Sequence, residues 1–234
     1  MTFLTAAQSA AIRLIGQKPS TFVSSQNTFE MEIVDLAKDV VRDIVKYCEW
    51  RSLIVKHQMV GNGVTMAFDK PDDYDRMPKS GRVTRANWYT WGYVDAPSLN
   101  FWNDLINGLM SPSPGYWIIL DGKFQFSPPI GASTTAEFYY ISKNAVIDGD
   151  DQSRKAEFTK DEDDFVLDES LLTLGLIWKW RAQKRLEYAE DLQNYEIRMA
   201  QVSSDDRGAR ILQGSHKRWG GDVHTAYPKP LGAL

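Results

Sequence analysis

The chain of 234 residues carries one cysteine, Cys48, so it cannot close an internal disulfide or build a cysteine metal cage. A packed core has to hold it together. Its three histidines, His57, His216 and His224, are too widely spaced for a zinc motif such as two histidines one helical turn apart. Gly61-Asn62-Gly63 lacks both the P-loop lysine and the dinucleotide fingerprint, so it reads as a turn, and no serine stands in a Gly-x-Ser-x-Gly setting. The acids Asp161 to Asp164 lack the central glycine and terminal glutamate of an EF-hand loop, and read as a solvated helix entrance. No cofactor and no metal are expected. The most apolar stretch, Leu171 to Trp180, falls short of the roughly 20 residues needed to cross a bilayer, and no basic segment leads into a long apolar run at the start. These features read as a soluble protein made in a reducing cytoplasm, with no membrane contact.

The formal net charge of −4 argues against a general nucleic-acid binder, but the charge is unevenly placed. Asp148 to Glu169 holds ten acids and three bases, a local −7, whereas Ala209 to Leu234 holds four bases and one acid, a local +3. The remainder sums to zero. A neutral body with an acidic connector and a basic C-terminal end points to contacts between chains.

Alanines at 6, 7, 10 and 11 with Ile12 and Leu14 read as a short helix over 5–16, stopped by Gly16 and suited to close packing. A stronger helix is expected over 27–56, with Asn27 as N-cap and Glu30 in the capping-box position. Ile33, Val34, Ala37, Val40, Val41, Ile44, Val45 and Cys48 step by three and four along it, which places the cysteine on the buried face as a small hydrophobe. Most of the ten prolines lie between Lys70 and Pro129, interleaved with aromatics. That region reads as strands and loops: Val64 to Phe68, Tyr116 to Leu120, an Asp121-Gly122 hairpin turn, Lys123 to Ser127, and Glu137 to Ser142, forming a small antiparallel sheet. From Asp168 to Asp206 there is no proline, and the segment reads as one long helix, or two joined near Arg181, projecting from the body. The tail beyond Gly208, rich in glycine and proline, reads as extended.

The expected fold class is therefore mainly α with a small antiparallel β part: a helical bundle with a long C-terminal helix and an extended arm. The expected division is a body at 1–165, with its β-rich middle at 64–142 and acidic connector at 148–165, then a helix or helix pair at 166–207 and a docking arm at 208–234. Leu171, Leu174, Trp178, Trp180, Tyr188, Leu192 and Tyr195 form the apolar face expected to pack between subunits. In the arm, Trp219 beside Lys217 and Arg218 has the make-up of an interface anchor with charged neighbours. The middle aromatics lack the basic groove of a nucleobase platform, which favours core or interface use.

Several stretches together resemble the head-to-tail adaptor (connector) proteins of tailed bacteriophages, in particular the portal-binding adaptors of short-tailed phages. They are Ala11-Ile-Arg-Leu-Ile-Gly16, the long helix running into Glu49-Trp50-Arg51, Asp69-Lys-Pro-Asp-Asp-Tyr-Asp-Arg-Met77, Phe138-Tyr-Tyr-Ile-Ser-Lys143, and Asp161 leading into Leu171-Leu-Thr-Leu-Gly-Leu-Ile-Trp-Lys-Trp-Arg181. The likeness is one of order and texture across nearly the whole chain. It implies a structural virion protein without enzymatic activity, made in the host bacterial cytoplasm and placed at the head–tail junction. Such a protein forms a ring, typically of twelve copies, beneath the portal protein, and meets tail proteins (nozzle, hub or next connector) at its other end. DNA passes through the channel during ejection without sequence-specific binding, and the acidic connector is a candidate lining for that channel. Here the resemblance assigns portal docking to the C-terminal helix and arm, with Arg210, Ile211, Leu212, Lys217, Arg218, Trp219 and Tyr227 as the contact residues. The alternative is a virion-associated peptidoglycan-degrading enzyme, or an adaptor with that side activity, for which Glu137 is the candidate acid.

Overall fold

Residues 2–79, 81–85, 92–111 and 115–208 are described by a computed structural model. In chain order they form α1 (Phe3–Ile15), α2 (Thr28–Tyr47), β1 (Ile54–Val60), β2 (Ala67–Asp69), β3 (Tyr74–Arg76), β4 (Val94–Asp95) and α3 (Leu99–Ile106). There follow β5 (Tyr116–Leu120), β6 (Lys123–Ser127), β7 (Thr135–Ser142), β8 (Val146–Ile147), β9 (Arg154–Lys155), β10 (Asp164–Phe165), α4 (Glu169–Gln183) and α5 (Ala189–Arg207).

The helices begin and end where local chemistry provides caps. Gly16 closes α1 in the left-handed conformation, φ 69°, with its N–H on the Ile12 carbonyl. Asn27 caps α2 by accepting from the Phe29 N–H at 3.2 Å, while the Glu30 carboxylate takes the Ser25 hydroxyl. The helix expected to reach residue 56 stops at Tyr47. Cys48 is extended, the buried Trp50 indole donates to the Ile44 carbonyl at 2.6 Å, and the Arg76 guanidinium takes the Val45 and Cys48 carbonyls at 3.1 and 2.8 Å. Three last-turn acceptors are thus satisfied by side chains from outside the helix, which frees Ile54 onward to run as a strand.

Three sheets follow, not one. β1, β7 and β3 form an antiparallel sheet in the order β1-β7-β3, with Ile54 opposite Ile141 and Val60 opposite Thr135. A second sheet has the order β2-β6-β5-β4; the Asp121-Gly122 turn, both residues at positive φ, joins β5 to β6. Its last pair, β4 with β5, is parallel, because α3 carries the chain back across the sheet between them. The third, β10-β8-β9, is built of two-residue strands, β8 just before the acidic connector and β9 and β10 within it. The expected strand at 64–68 lies slightly later, at Ala67–Asp69.

The first two sheets face each other over Met59, Trp117, Phe124, Phe126, Phe138 and Tyr140, and α3 covers the opposite side of β5 with Trp102 and Leu105. A separate core lies among α1, α2, α4 and α5, capped by Phe158, Phe165, Val146 and Ile141. β7 serves both cores, with Phe138 and Tyr140 turned to the sandwich and Ile141 to the helices.

The fold is therefore α+β, with five helices and three sheets among the described residues, about 40% helix and 21% strand, and the helical bundle with a small β part is corrected. Most of the strands have only two or three residues, too short for alternation to show in the sequence, and β1 finds its partner far along the chain. Nor does the C-terminal helical segment project. It breaks after Gln183, with Arg185 at φ 57°, and α5 folds back along α4. α4 is the central helix, packed on α1, α2 and α5, and at Gly175 the approach is so close that a Cβ would stand 2.5 Å from Val40 Cγ1 and 3.3 Å from Tyr195 Cε2.

Candidate functional site

The arm's root is built by three elements. Arg51, in the turn after α2, donates its backbone N–H to the Asp206 carboxylate at 3.0 Å and its guanidinium to the Arg207 carbonyl at 2.6 Å. These bonds tie the last turn of α5 to the start of β1 across 155 residues of sequence. Beside them Tyr47, Ala200, Ser203, Ser204, Arg207 and Gly208 line a cavity of about 560 Å³. Cys48 is buried here, and burial pushes its thiol pKa up despite the Ser203 hydroxyl and the Arg207 charge. Its environment is that of a packed thiol, not of a nucleophile. The docking residues assigned to the arm, Arg210, Ile211, Leu212, Lys217, Arg218, Trp219 and Tyr227, lie outside the described residues, as do His216 and His224.

The seven residues expected between subunits are for the most part committed within the chain. Leu171 and Tyr195 are buried in the helical core, and Leu174, Trp178, Trp180 and Leu192 are half-buried against it. Trp178 stacks obliquely near Tyr195 at 6.0 Å, and Trp180 meets Phe29 edge-on while its indole donates to Glu32 at 3.1 Å. Tyr188 alone of the seven is exposed, at 41%. Period and polarity found an apolar face correctly, but could not say that α1 and α2 of the same chain cover it.

The acidic connector is folded around its own lysines. Asp163 is fully buried, yet it accepts from Lys155 Nζ at 2.8 Å and from the backbone N–H groups of Thr159, Lys160 and Gly149 at 2.7, 2.8 and 3.3 Å. Burial alone would raise its pKa; Lys155 and the three N–H groups overcome that and hold it below the usual carboxylate value. Asp148 bridges Lys155 and Lys160 at 2.6 and 2.8 Å, and these ammonium groups depress its pKa strongly. Asp161 takes the Phe22 and Val23 N–H groups at 3.1 Å, so it fixes the loop between α1 and α2. Asp168 caps α4 through the Ser170 N–H at 2.8 Å and pairs with Arg198 of α5 at 2.6 Å. The connector is thus a structural clasp rather than a solvated entrance, because four of its acids spend their lone pairs inside the fold.

Glu137, the candidate acid of the enzymatic alternative, lies mid-strand in β7. Lys56 sits 2.7 Å from its carboxylate and its backbone N–H donates to Thr84 Oγ1 at 2.8 Å. The neighbouring cavity of about 510 Å³ is lined by Ile54, Lys56, Pro78, Gly81, Arg82, Thr84, Glu137 and Tyr139, which brings no second carboxylate to Glu137. His57, half-buried beside Phe138 and Tyr140, has its pKa lowered by burial. Among the described residues, no three His, Cys, Asp or Glu side chains are grouped to hold a metal ion, and no helix is long and apolar enough to cross a membrane.

The segment 69–77 quoted in the family resemblance acts as a rivet between the two halves. Asp73 accepts the Tyr140 hydroxyl at 2.6 Å and the Ser142 hydroxyl at 2.7 Å, Asp75 pairs with Lys46 of α2, and Arg76 closes the end of that helix. Burial first, then Asp73, pushes the Tyr140 pKa far up. No sequence signal marks the Arg51 latch or this rivet, because each joins residues distant in the chain through ordinary polar side chains. No protein-family model matches the chain, and no curated protein matches it in sequence.

Proposed function

We propose that this protein is a structural adaptor of the head–tail junction of a tailed bacteriophage. It assembles as a ring, docks on the portal through α5 and the basic segment 209–234, meets tail proteins at its opposite end, and surrounds the path of the DNA. The observation that carries the reading is the latch at the root of the arm. Arg51 fixes the last turn of α5 to the body through Asp206 and Arg207, so a segment with a local +3 charge follows directly on a fixed point of the fold. A basic segment that starts from a fixed point is suited to reach another chain. The sequence resemblance supplies the identity of that chain.

The test is truncation after Gly208. The shortened protein keeps its cooperative unfolding and far-ultraviolet spectrum but no longer sediments with portal, and negative-stain images of the mixture lose the second ring. Undiminished attachment of the truncated chain would remove the arm from portal docking.

A further inference from the structure

Two helices flank the central α4 on opposite sides. Thr173 of α4 donates its hydroxyl to the Ala6 carbonyl of α1 at 3.4 Å, whereas Gly175, two positions on and therefore roughly 200° round the helix, faces Tyr195 of α5. α1 and α5 each bury one side against α4 and turn the other outward. Their outward sides differ in charge, apart from the exposed Arg207 that ends α5. Every exposed charged residue from Thr5 to Ser20 is basic, Arg13 and Lys18, and every exposed charged residue from Glu187 to Asp205 is acidic, Glu187, Glu190, Glu196 and Asp205. None of these six makes an ion pair among the described residues.

Each side also leaves apolar surface in water. Ile12 and Ile15 of α1 are 51% and 38% exposed; Tyr188, at the N-cap of α5, and Ile197 within it are 41% and 49% exposed. Beside α1 a groove of about 620 Å³ runs between Arg13 and the first turns of α4, floored by Phe165, Leu167 and Leu174. Glu169 also lines it, and Asp168 there is already paired with Arg198.

We infer that the outer face of α1 in one copy docks on the outer face of α5 in the next, Ile12 and Ile15 against Tyr188 and Ile197, with Arg13 and Lys18 opposite Glu187, Glu190 and Glu196. The inference rests on the ring reading in taking a second copy as the occupant, and adds which surfaces meet. Charge selects the arrangement. A two-fold contact of α1 with α1 would oppose cations to cations, and one of α5 with α5 would oppose acids to acids. Only the head-to-tail contact is complementary, and a head-to-tail contact repeats until its rotation closes a ring. The residues expected to pack between subunits, apart from Tyr188, lie behind this interface and support it from within.

Charge exchange tests the pairing. Arg13→Glu with Lys18→Glu makes one variant, and Glu187→Lys, Glu190→Lys and Glu196→Lys make the other. All five positions are exposed, so far-ultraviolet spectra stay those of the parent chain. Particle mass is then measured by mass photometry, with and without portal. The parent forms rings; each variant alone remains monomeric in both conditions; a chain carrying all five changes forms rings again. Rings from either single variant, or no rings from the combined one, would overturn this interface while leaving the adaptor reading in place. A parent chain that stays monomeric even on portal overturns both.

Discussion

Replacing Gly175 by alanine should destabilise the protein, although the same change in an unpacked helix interior would stabilise it by about 1 kcal/mol. The reason is geometric. The new Cβ would stand 2.5 Å from Val40 Cγ1 and 3.2 Å from Cγ2, with Tyr195 Cε2 at 3.3 Å on its other side. Val40 is fully buried and β-branched, so it has no free rotamer to retreat into, and α4 would have to move off α2. Overpacking of this kind costs about 1–3 kcal/mol, which against the propensity gain of about 1 kcal/mol leaves a net loss centred on about 1 kcal/mol and reaching about 2 kcal/mol. With a urea dependence of about 2 kcal/mol per molar, the unfolding midpoint should fall by about 0.5 M and by no more than about 1 M, read by tryptophan fluorescence. Val40→Ala opens the space and is itself destabilising through the cavity it leaves. In that background Gly175→Ala should become neutral or stabilising, a coupling of about 2 kcal/mol in the double-mutant cycle. A midpoint that rises on Gly175→Ala in the parent chain would refute the argument that close approach of α2 and α4 requires the glycine.

Asp163→Asn should cost about 3 kcal/mol, the lower end for breaking a buried pair, because Lys155 keeps Asp148 as a partner. The carboxyl's native pKa lies below its ordinary 3.8, so its stabilisation is complete above pH 3.8 and is lost as pH falls through the lower native value; the variant should show a flatter decline of urea midpoint with acid over that range. Trp50→Phe removes the donor to the Ile44 carbonyl and leaves it buried, for an expected loss of about 1–3 kcal/mol by urea unfolding; no change would show that the end of α2 is satisfied otherwise. Arg51→Ala with Asp206→Ala, which removes both bonds of the latch, should speed amide exchange in the last turn of α5 while leaving α4 protected, and equal protection of both would remove the latch. A peptidoglycan zymogram should show no clearing, and clearing abolished by Glu137→Gln would replace the adaptor reading by an enzymatic one.

Where structure follows from a few neighbouring residues, the sequence was legible. The alanine-rich α1 with its glycine stop, the Asn27 cap, the stripe from Ile33 to Val45 and the Asp121-Gly122 hairpin all express local chemistry and occur as expected. The boundary at Tyr47 was not legible, because what stops α2 is Trp50 and Arg76 reaching its carbonyls, the latter from β3. An isolated helix would have run on through Arg51. The β part exceeds the single small sheet expected for a similar reason: β1 depends on β7 for its hydrogen bonds, and the Pro-rich middle hides two- and three-residue strands whose only signature is their partner.

The acids at 161–164 read as solvated, yet Asp163, with Asp148, folds onto the connector's own lysines, while Asp161 takes the Phe22 and Val23 N–H groups and Asp168 pairs with Arg198. A channel lining needs carboxylates whose field reaches solvent, and a carboxylate within 3 Å of an ammonium group largely cancels its own field. Exposed acids without an ion pair include Glu187, just before α5, and Glu190 and Glu196 on it. If the adaptor forms its ring through the α1 and α5 faces, those acids are neutralised by Arg13 and Lys18 of the next copy rather than turned to DNA. Salt then gives two different signatures. Ring assembly weakens as ionic strength rises, because partly exposed charge pairs are screened beyond a Debye length of about 8 Å at 0.15 M. The connector's clasp, with Asp163 fully buried, does not, so unfolding midpoints stay nearly constant over the salt range in which rings dissociate. Parallel loss of both would mean that the clasp and the interface draw on the same exposed charges, which the burial of Asp163 forbids.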